Sequence, residues 1–384
     1  MKKLRLILCF TLPLFILTGC WDRTEINDNA FVLATSVDKA PKEKYKVAIQ
    51  IPLPSSMGGS GSSGGGGGTS GGGPISVLVG TGDNIRQSLE DVQARLSRKI
   101  FFGHRRVFII GEDLAKHGIK EALLATFIHP QSRLSTFLVI SKGEAVKMLQ
   151  AQPKMEQFSG EAIREMSKTS LNMTAMDAMQ DLSRPGKDIV APVIESTGTT
   201  KKEKNGKEIL MGSYALFNKD KMVFTTNKSE SQGIMWLNEK MVKKPFSFQV
   251  LKNKEISVQI INSSIKPAFQ IVNGKPSFDL KVRAIGILLE NEPDLRIEDP
   301  KTYHLIIKKM EEMIKSNIKA VLDHAHSEGI DVYGFGWYLY RNHYHEWKNN
   351  WEEDWEKTLP TLKVNIHVDS DIQRTTNTGN IERK

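Results

Sequence analysis

The sequence predicts an α/β mixed (α+β), multi-domain fold, in which an N-terminal α/β layered domain precedes a β-rich region covered by a long C-terminal helix. Three observations predict it. Short apolar runs alternate with amphipathic helical patterns over the first 150 or so residues. Later strand patterns flank Asn273-Gly274, a strong hairpin signal. Asp299-Pro300 then opens a helical pattern that runs to Gly329. With 384 residues, 39% hydrophobic and 25% charged, the chain has the length for two or three domains and the composition of a folded, water-soluble body. The expected divisions are 1–19, a lipoprotein signal peptide, and 20–200, the N-terminal α/β domain with a flexible loop at 58–73. The C-terminal domain is expected at 206–376, β-rich to about 290 and helix-rich from about 298, with a tail at 377–384.

Lys2, Lys3 and Arg5 form a basic head, and Leu6 to Leu17 is an almost unbroken apolar run. At 1.5 Å per residue it is too short for a ~30 Å bilayer core. A positive head, a short apolar middle and small residues before a polar start describe an export signal. Leu17-Thr18-Gly19-Cys20 is similar to a bacterial lipobox. A thiolate is the strongest side-chain nucleophile available for attaching a diacylglyceryl group as a thioether. Cleavage between Gly19 and Cys20 would leave an S-diacylglycerol cysteine at the new N-terminus, its freed amino group open to N-acylation. The other cysteine, Cys9, departs with the signal, so no internal disulfide is available to the mature chain. Each buried CH2 contributes ~0.8 kcal/mol to attachment, so two acyl chains outweigh ~1 kcal/mol per surface Lys or Arg. Losing three basic residues takes the net charge from +9 to +6. No dense basic tract remains to suggest nucleic acid as a partner.

Phe31 to Val37 and Tyr45 to Ile51 read as strands. The run 58–73 is glycine at eleven of sixteen positions and otherwise Ser or Thr. It should behave as a coil spanning roughly 20–25 Å. Ile75 to Val79 resumes a strand, and Asp83 stands as N-cap to a helix bearing Ile85, Leu89, Val92 and Leu96 on one face. Val107 to Ile110 has the wholly apolar character of a buried strand. Ile119 to His129 reads as a helix stopped by Pro130, Thr136 to Ile140 as a strand and Glu144 to Leu149 as a helix. Lysine-rich 201–207 is an interdomain loop or hairpin tip. Tyr214–Phe217 and Met222–Thr225 read as strands of the later β-rich region, as do Phe269–Val272 and Ser277–Ile285. The long helix carries Ile306, Met310, Ile314, Val321 and Ala325 on its apolar stripe. A second helix is expected from about His343 to Lys357, and a last strand over Leu362 to Val368.

Candidate chemistry is sparse. His324 and His326, two apart on a helix, point about 200° from each other. His343 and His345 have no third ligand at a usual spacing. Trp347, Trp351 and Trp355 repeat every four residues, as an aromatic face packed on the core would, a partner or membrane-interface surface being the alternative. Gly334-Phe335-Gly336 suits a tight turn anchored by Phe335. Asp22 and Glu25 read as helix-capping residues or a local salt link, with pairing to a partner subunit as the alternative. The sequence carries no nucleophile elbow, HExxH or P-loop, so no catalytic residue, metal or cofactor is expected and the chain does not read as an enzyme.

Four blocks carry a specific resemblance: "GCWDRTEIND" from Gly19, "LSRKIFFGHRRVFIIGEDLAKHGI" from Leu96, "GSYALFNKDKMVF" from Gly212 with Gly233 and Trp236, and "IDVYGFGWYLYRNHYHEWKNNWEEDW" from Ile330. In this order they resemble the Ger(x)C family, the lipoprotein C subunits of spore germinant receptors. The resemblance implies a lipid-anchored, non-enzymatic C subunit on the outer face of the spore inner membrane. It implies integral-membrane A and B subunits as partners, with nutrient selectivity attributed mainly to B. The C subunit would be a structural or coupling part required for nutrient-triggered germination. The alternative class is a solute-binding lipoprotein of an importer, which needs two similar α/β lobes around a cleft. The β-rich middle and long late helix argue against it. A lipid-anchored hydrolase has no motif in its favour.

Overall fold

A computed structural model describes residues 25–53, 75–198, 208–292 and 294–373. The expected signal peptide, Cys20, Asp22, the glycine run, the 201–207 loop and the tail lie outside the described residues. Among the described residues, no helix is long and apolar enough to cross a membrane.

The described chain opens with β1 (Asn29–Phe31), β2 (Ala34–Lys39), β3 (Tyr45–Pro52), β4 (Ile75–Gly82) and α1 (Ile85–Gln93). It continues through β5 (Lys99–Phe101), β6 (Val107–Gly111), α2 (Glu112–His117), α3 (Lys120–Phe127), β7 (Phe137–Ser141) and α4 (Ala145–Gln150). Then follow α5 (Ser159–Thr169), α6 (Ala175–Ser183), β8 (Val190–Thr197), β9 (Glu208–Asn218) and β10 (Lys221–Thr225). Among the described residues these build an eight-stranded sheet in the order β10-β9-β8-β7-β6-β2-β3-β4. Its centre, β2, β6, β7 and β8, is parallel, and antiparallel strands flank it on both sides.

Strand β6 is apolar throughout because both its faces are covered. Phe108 and Ile110 join a core with α2, α3 and α6, whereas Val107 and Ile109 face α4 and α5. Asp38, buried at the end of β2, accepts from the amides of Ala145 (2.6 Å) and Val146 (3.0 Å), holding α4 by its N-terminus.

The second half contains α7 (Lys228–Leu237), β11 (Pro245–Leu251), β12 (Lys254–Val272), β13 (Lys275–Asn291) and α8 (Pro300–Ser327). It ends with α9 (Phe335–Asn342), α10 (Tyr344–Asn350), α11 (Trp355–Thr358) and β14 (Lys363–Gln373). The order β11-β12-β13-β14 makes a four-stranded sheet among the described residues, with β14 parallel to β13. At the expected hairpin, Asn273 and Gly274 take φ of 53° and 74° and join β12 to β13. Asp299 caps α8 by accepting from the Thr302 amide, with Pro300 at its first position. The helix lays Ile306, Met310, Ile314, Ile318 and Val321 onto Phe246, Phe248, Val258 and Phe278 of the sheet. This is the cover that the sequence predicts.

Several elements differ from expectation. The strand read at 31–37 is two strands, since the chain crosses from the small β1–β5 pair to the large sheet at Val32 and Leu33. Asn84, not Asp83, caps α1: its side chain accepts from the Gln87 amide at 2.9 Å. The helix read at 119–129 covers Lys120–Phe127 and is preceded by α2, from which Gly118 (φ 133°) divides it. The hairpin at 214–225 is hydrogen-bonded into the first sheet through β8, because Ala215 and Phe217 pack in that sheet's core. The helix read at 343–357 is broken, with Trp351 (φ −134°, ψ −16°) ending α10.

Helix α7 crosses α8 at Gly233, where a methyl group would stand 2.2 Å from the Asn317 carbonyl oxygen and 2.8 Å from Val321 Cγ1. Gly233→Val is expected to lose about 1–3 kcal/mol by forcing these helices apart. A denaturant titration checks it, with exposed Lys315→Ala expected to be neutral.

Candidate functional site at the junction of the two sheets

The segment Ile330-Asp-Val-Tyr-Gly-Phe-Gly-Trp follows α8 and begins α9. Asp331 is fully buried. Its Oδ1 accepts from the amides of Gly334 (2.7 Å) and Phe335 (3.0 Å), and its Oδ2 from Gly336 (2.8 Å) and the Trp355 indole Nε1 (3.0 Å). Charge-assisted bonds of this kind, placed at a helix start, offset the cost of burying a carboxylate. Gly334 reaches the required turn at φ 89°.

Against this turn sits Arg184-Pro-Gly-Lys-Asp188, the loop between α6 and β8 of the first sheet. Asp188 and Asp331 are joined by two hydrogen bonds. The Asp331 amide donates to Asp188 Oδ2 at 2.8 Å, and the Asp188 amide donates to the Asp331 carbonyl at 3.1 Å. Asp188 Oδ1 also accepts from the Lys219 amide at 3.0 Å. Lys187 Nζ donates to the Val332 carbonyl at 2.9 Å, and the Trp337 amide to the Gly186 carbonyl at 3.1 Å. The Arg184 guanidinium lies over the Trp337 ring, 5.4 Å from its centre. Backbone meets backbone here: a methyl group on Gly186 would be 2.5 Å from Gly336 Cα, and one on Gly336 would be 2.8 Å from Trp355 Nε1. Only glycine fits at either position.

The tryptophans finish the joint. Trp347, Trp351 and Trp355 are all buried, as expected of an aromatic face on the core. They reach it from successive short helices and a turn rather than from one helical stripe. Trp347 meets Trp355 edge-on at 5.3 Å, and Trp351 meets Phe269 at 5.9 Å.

A cleft of about 480 Å³ opens beside the joint, lined among others by Asp181, Arg184, Lys187, Asp188, Glu352 and Glu356. Asp331 is occupied by four donors and Asp188 by two, so both carboxylates act as acceptors that fix backbone. The chemistry of the site is mechanical: it joins two sheets. Burial pushes Asp188 up to about 6, against the lowering effect of its two backbone donors.

The remaining sequence candidates are scattered. His324 bonds Glu230 at 2.9 Å and stacks on Phe224, while His326 is buried beside Phe335, its pKa lowered by desolvation. His343 lies against Phe269, and His345 beside Tyr344. Glu25 stands at the N-cap of a short 3-10 turn, its amide donating to Asp28 Oδ2 at 3.3 Å. Cys20 and Gly19 lie outside the described residues. Sequence reasoning passed over Gly186, Lys187 and Asp188; the turn dipeptide Pro185-Gly186 was the available signal.

Two family models match the chain in succession. "Spore germination protein N-terminal domain" covers residues 22–196, and "Spore germination B3/ GerAC like, C-terminal" covers 212–376. The chain is similar to putative spore germination protein YfkR of Bacillus subtilis (strain 168), at 34% identity over 363 residues, covering 92% of this chain and 93% of the relative. It is similar to spore germination protein KC of the same organism at 26% identity, covering 97% and 96% of the two chains. The crystal structure of the GerBC protein matches with a TM-score of 0.53 at 18% identity, over 88% of this chain and 96% of that one. That last likeness speaks for the fold.

The joint should be sensitive to pH through Asp188. The folded protein holds the Asp188 proton at about pH 6, the unfolded chain at its ordinary 3.8. This contribution is therefore complete below pH 3.8 and lost as pH rises through 6. A half-buried carboxylate displaced this far is worth about 1–2 kcal/mol. Asp188→Asn should remove that part of the pH dependence, read as the change in denaturant midpoint between pH 4 and pH 7. Identical pH slopes in the two proteins would contradict it.

Proposed function

The chain belongs to the spore germination GerAC-like family, and from that membership we propose that it is the lipid-anchored C subunit of a spore nutrient germinant receptor. The observation that carries the proposal is the succession of the two family matches along most of the chain, with the lipobox-like Leu17-Thr-Gly-Cys20 directly ahead of the first. The family is a non-enzymatic receptor component. In this reading Cys20 carries the S-diacylglycerol anchor, Gly19 is the residue before the cleavage point, and the body sits on the outer face of the spore inner membrane. There it associates with the integral-membrane A and B subunits and acts as a structural and coupling part. The Asp331 joint supports that role, because it makes one continuous body of two sheets. The two sheets are also unlike in size and topology, which does not suit an importer's solute-binding lipoprotein with paired lobes.

The test is Cys20→Ala in spores. The variant protein should leave the membrane fraction and nutrient-triggered germination should weaken, while the soluble body keeps its wild-type melting temperature. Undiminished membrane association together with normal germination would refute the anchored role.

A further inference from the structure

Arg105 lies in the loop between β5 and β6, and is only 3% exposed. Its guanidinium is surrounded by the rings of Phe127, Phe102 and Phe108, at 4.5, 5.1 and 5.7 Å from their centres. Nε and Nη2 have no hydrogen-bond partner among the described residues. These two nitrogens form one edge of the guanidinium plane, the edge that grips a carboxylate with two parallel bonds. The buried hydroxyls of Thr35 and Thr126 are likewise unpartnered among the described residues.

All three residues line one cavity of about 380 Å³, whose other walls include Val47, Ile85, Leu89 and Phe102; their unpartnered polar atoms lie just behind its wall, each with under 1 Å² of accessible surface, and meet a ligand when that wall shifts. Its rim is formed by Ile128, an exposed apolar residue, His129 and Pro130, which follow α3. A buried cation without a counter-charge is costly, and the ring faces offset only part of that cost. Burial lowers the Arg105 pKa to about 9, with no carboxylate opposing the effect.

We propose that this cavity is a binding site for a small apolar monocarboxylate, its carboxylate paired side-on with Arg105 and its hydrocarbon body against Val47, Ile85 and Leu89. Arg86, the other guanidinium in the lining, is exposed and paired with Glu90 at 3.5 Å, so the ligand's single charge is matched to Arg105. The apolar walls disfavour a phosphate dianion, which would bring an excess charge into a dry site. The hydroxyls of Thr35 and Thr126 can donate to the same carboxylate oxygens. Exposed Arg106 and Arg133, which line the small cleft on the neighbouring side of Arg105, add a positive field that favours an anion over a cation. The cavity shares no lining residue with the cleft beside the Asp331 joint, and the proposal is independent of the receptor assignment.

The probe is 3-phenylpropionate, titrated calorimetrically into the full chain in lipid nanodiscs, with empty nanodiscs subtracted. Saturable one-to-one binding is expected, with no binding of the neutral amide 3-phenylpropanamide or of inorganic phosphate. Arg105→Lys keeps the charge but loses the paired edge, so it should weaken binding about tenfold or more. Should that variant not fold, Leu89→Phe fills the cavity while leaving Arg105 in place, and it should abolish binding. Absence of saturable binding overturns the proposal, as does equal binding of the amide or of phosphate. An affinity unchanged in a folded variant overturns it as well.

Discussion

A carboxylate removed from water must be given donors, and Asp331 receives four, from three peptide N–H groups and one indole. The rest of the junction follows from that requirement. Three consecutive amides can turn inward on one side chain only if the backbone curls tightly, which Gly334 permits. The indole must return from Trp355, so the chain between α9 and α11 folds back in short helices instead of continuing in one. The backbone of Asp331 then remains free to pair with Asp188, and the first sheet is fastened through it.

The joint has an apolar side as well as a polar one. Val190, Tyr214 and Leu216 of the first sheet's strands pack in the same core as α7, α8 and the second sheet. Tyr214 places its hydroxyl 3.2 Å from Ser170 and donates to Met235 sulfur at 2.7 Å, so it touches both halves. A continuous core and a row of backbone hydrogen bonds leave little freedom for hinge motion. In the proposed receptor role, a displacement imposed at one sheet would reach the other through Asp331 and Gly186 rather than being absorbed between them.

The sequence made local elements legible and left assembly hidden. Val107–Gly111, the Asn273-Gly274 hairpin and the capped helix at Pro300 were readable because each carries its own signal: burial on two faces, a turn requiring positive φ, a cap with proline. The Gly-Phe-Gly segment was readable as a tight turn. Its purpose was not, since the Asp331 partners lie three to five residues and then twenty-four residues further along the chain. Asp188 and Gly186 sit 143 and 150 residues before the positions they meet, and no periodicity reports on such a pairing. The hairpin at 208–225 looked like part of the later β region because its strand pattern is sound in either sheet; only its pairing with β8 decides. Arg105 reads as one basic residue among several, and only the three surrounding phenylalanines mark it as buried.

The central claim is that the two sheets unfold together because Asp331 holds both, its carboxylate fixing the turn of the second half and its backbone pairing with Asp188 of the first. Native-state hydrogen exchange measures this directly. The amides of Gly334, Phe335, Gly336, Asp331 and Asp188 should exchange as slowly as those of Val258 and Leu280 in the second sheet, by global unfolding alone. Exchange of these five amides orders of magnitude faster, by local opening while both sheets stay protected, would contradict the account.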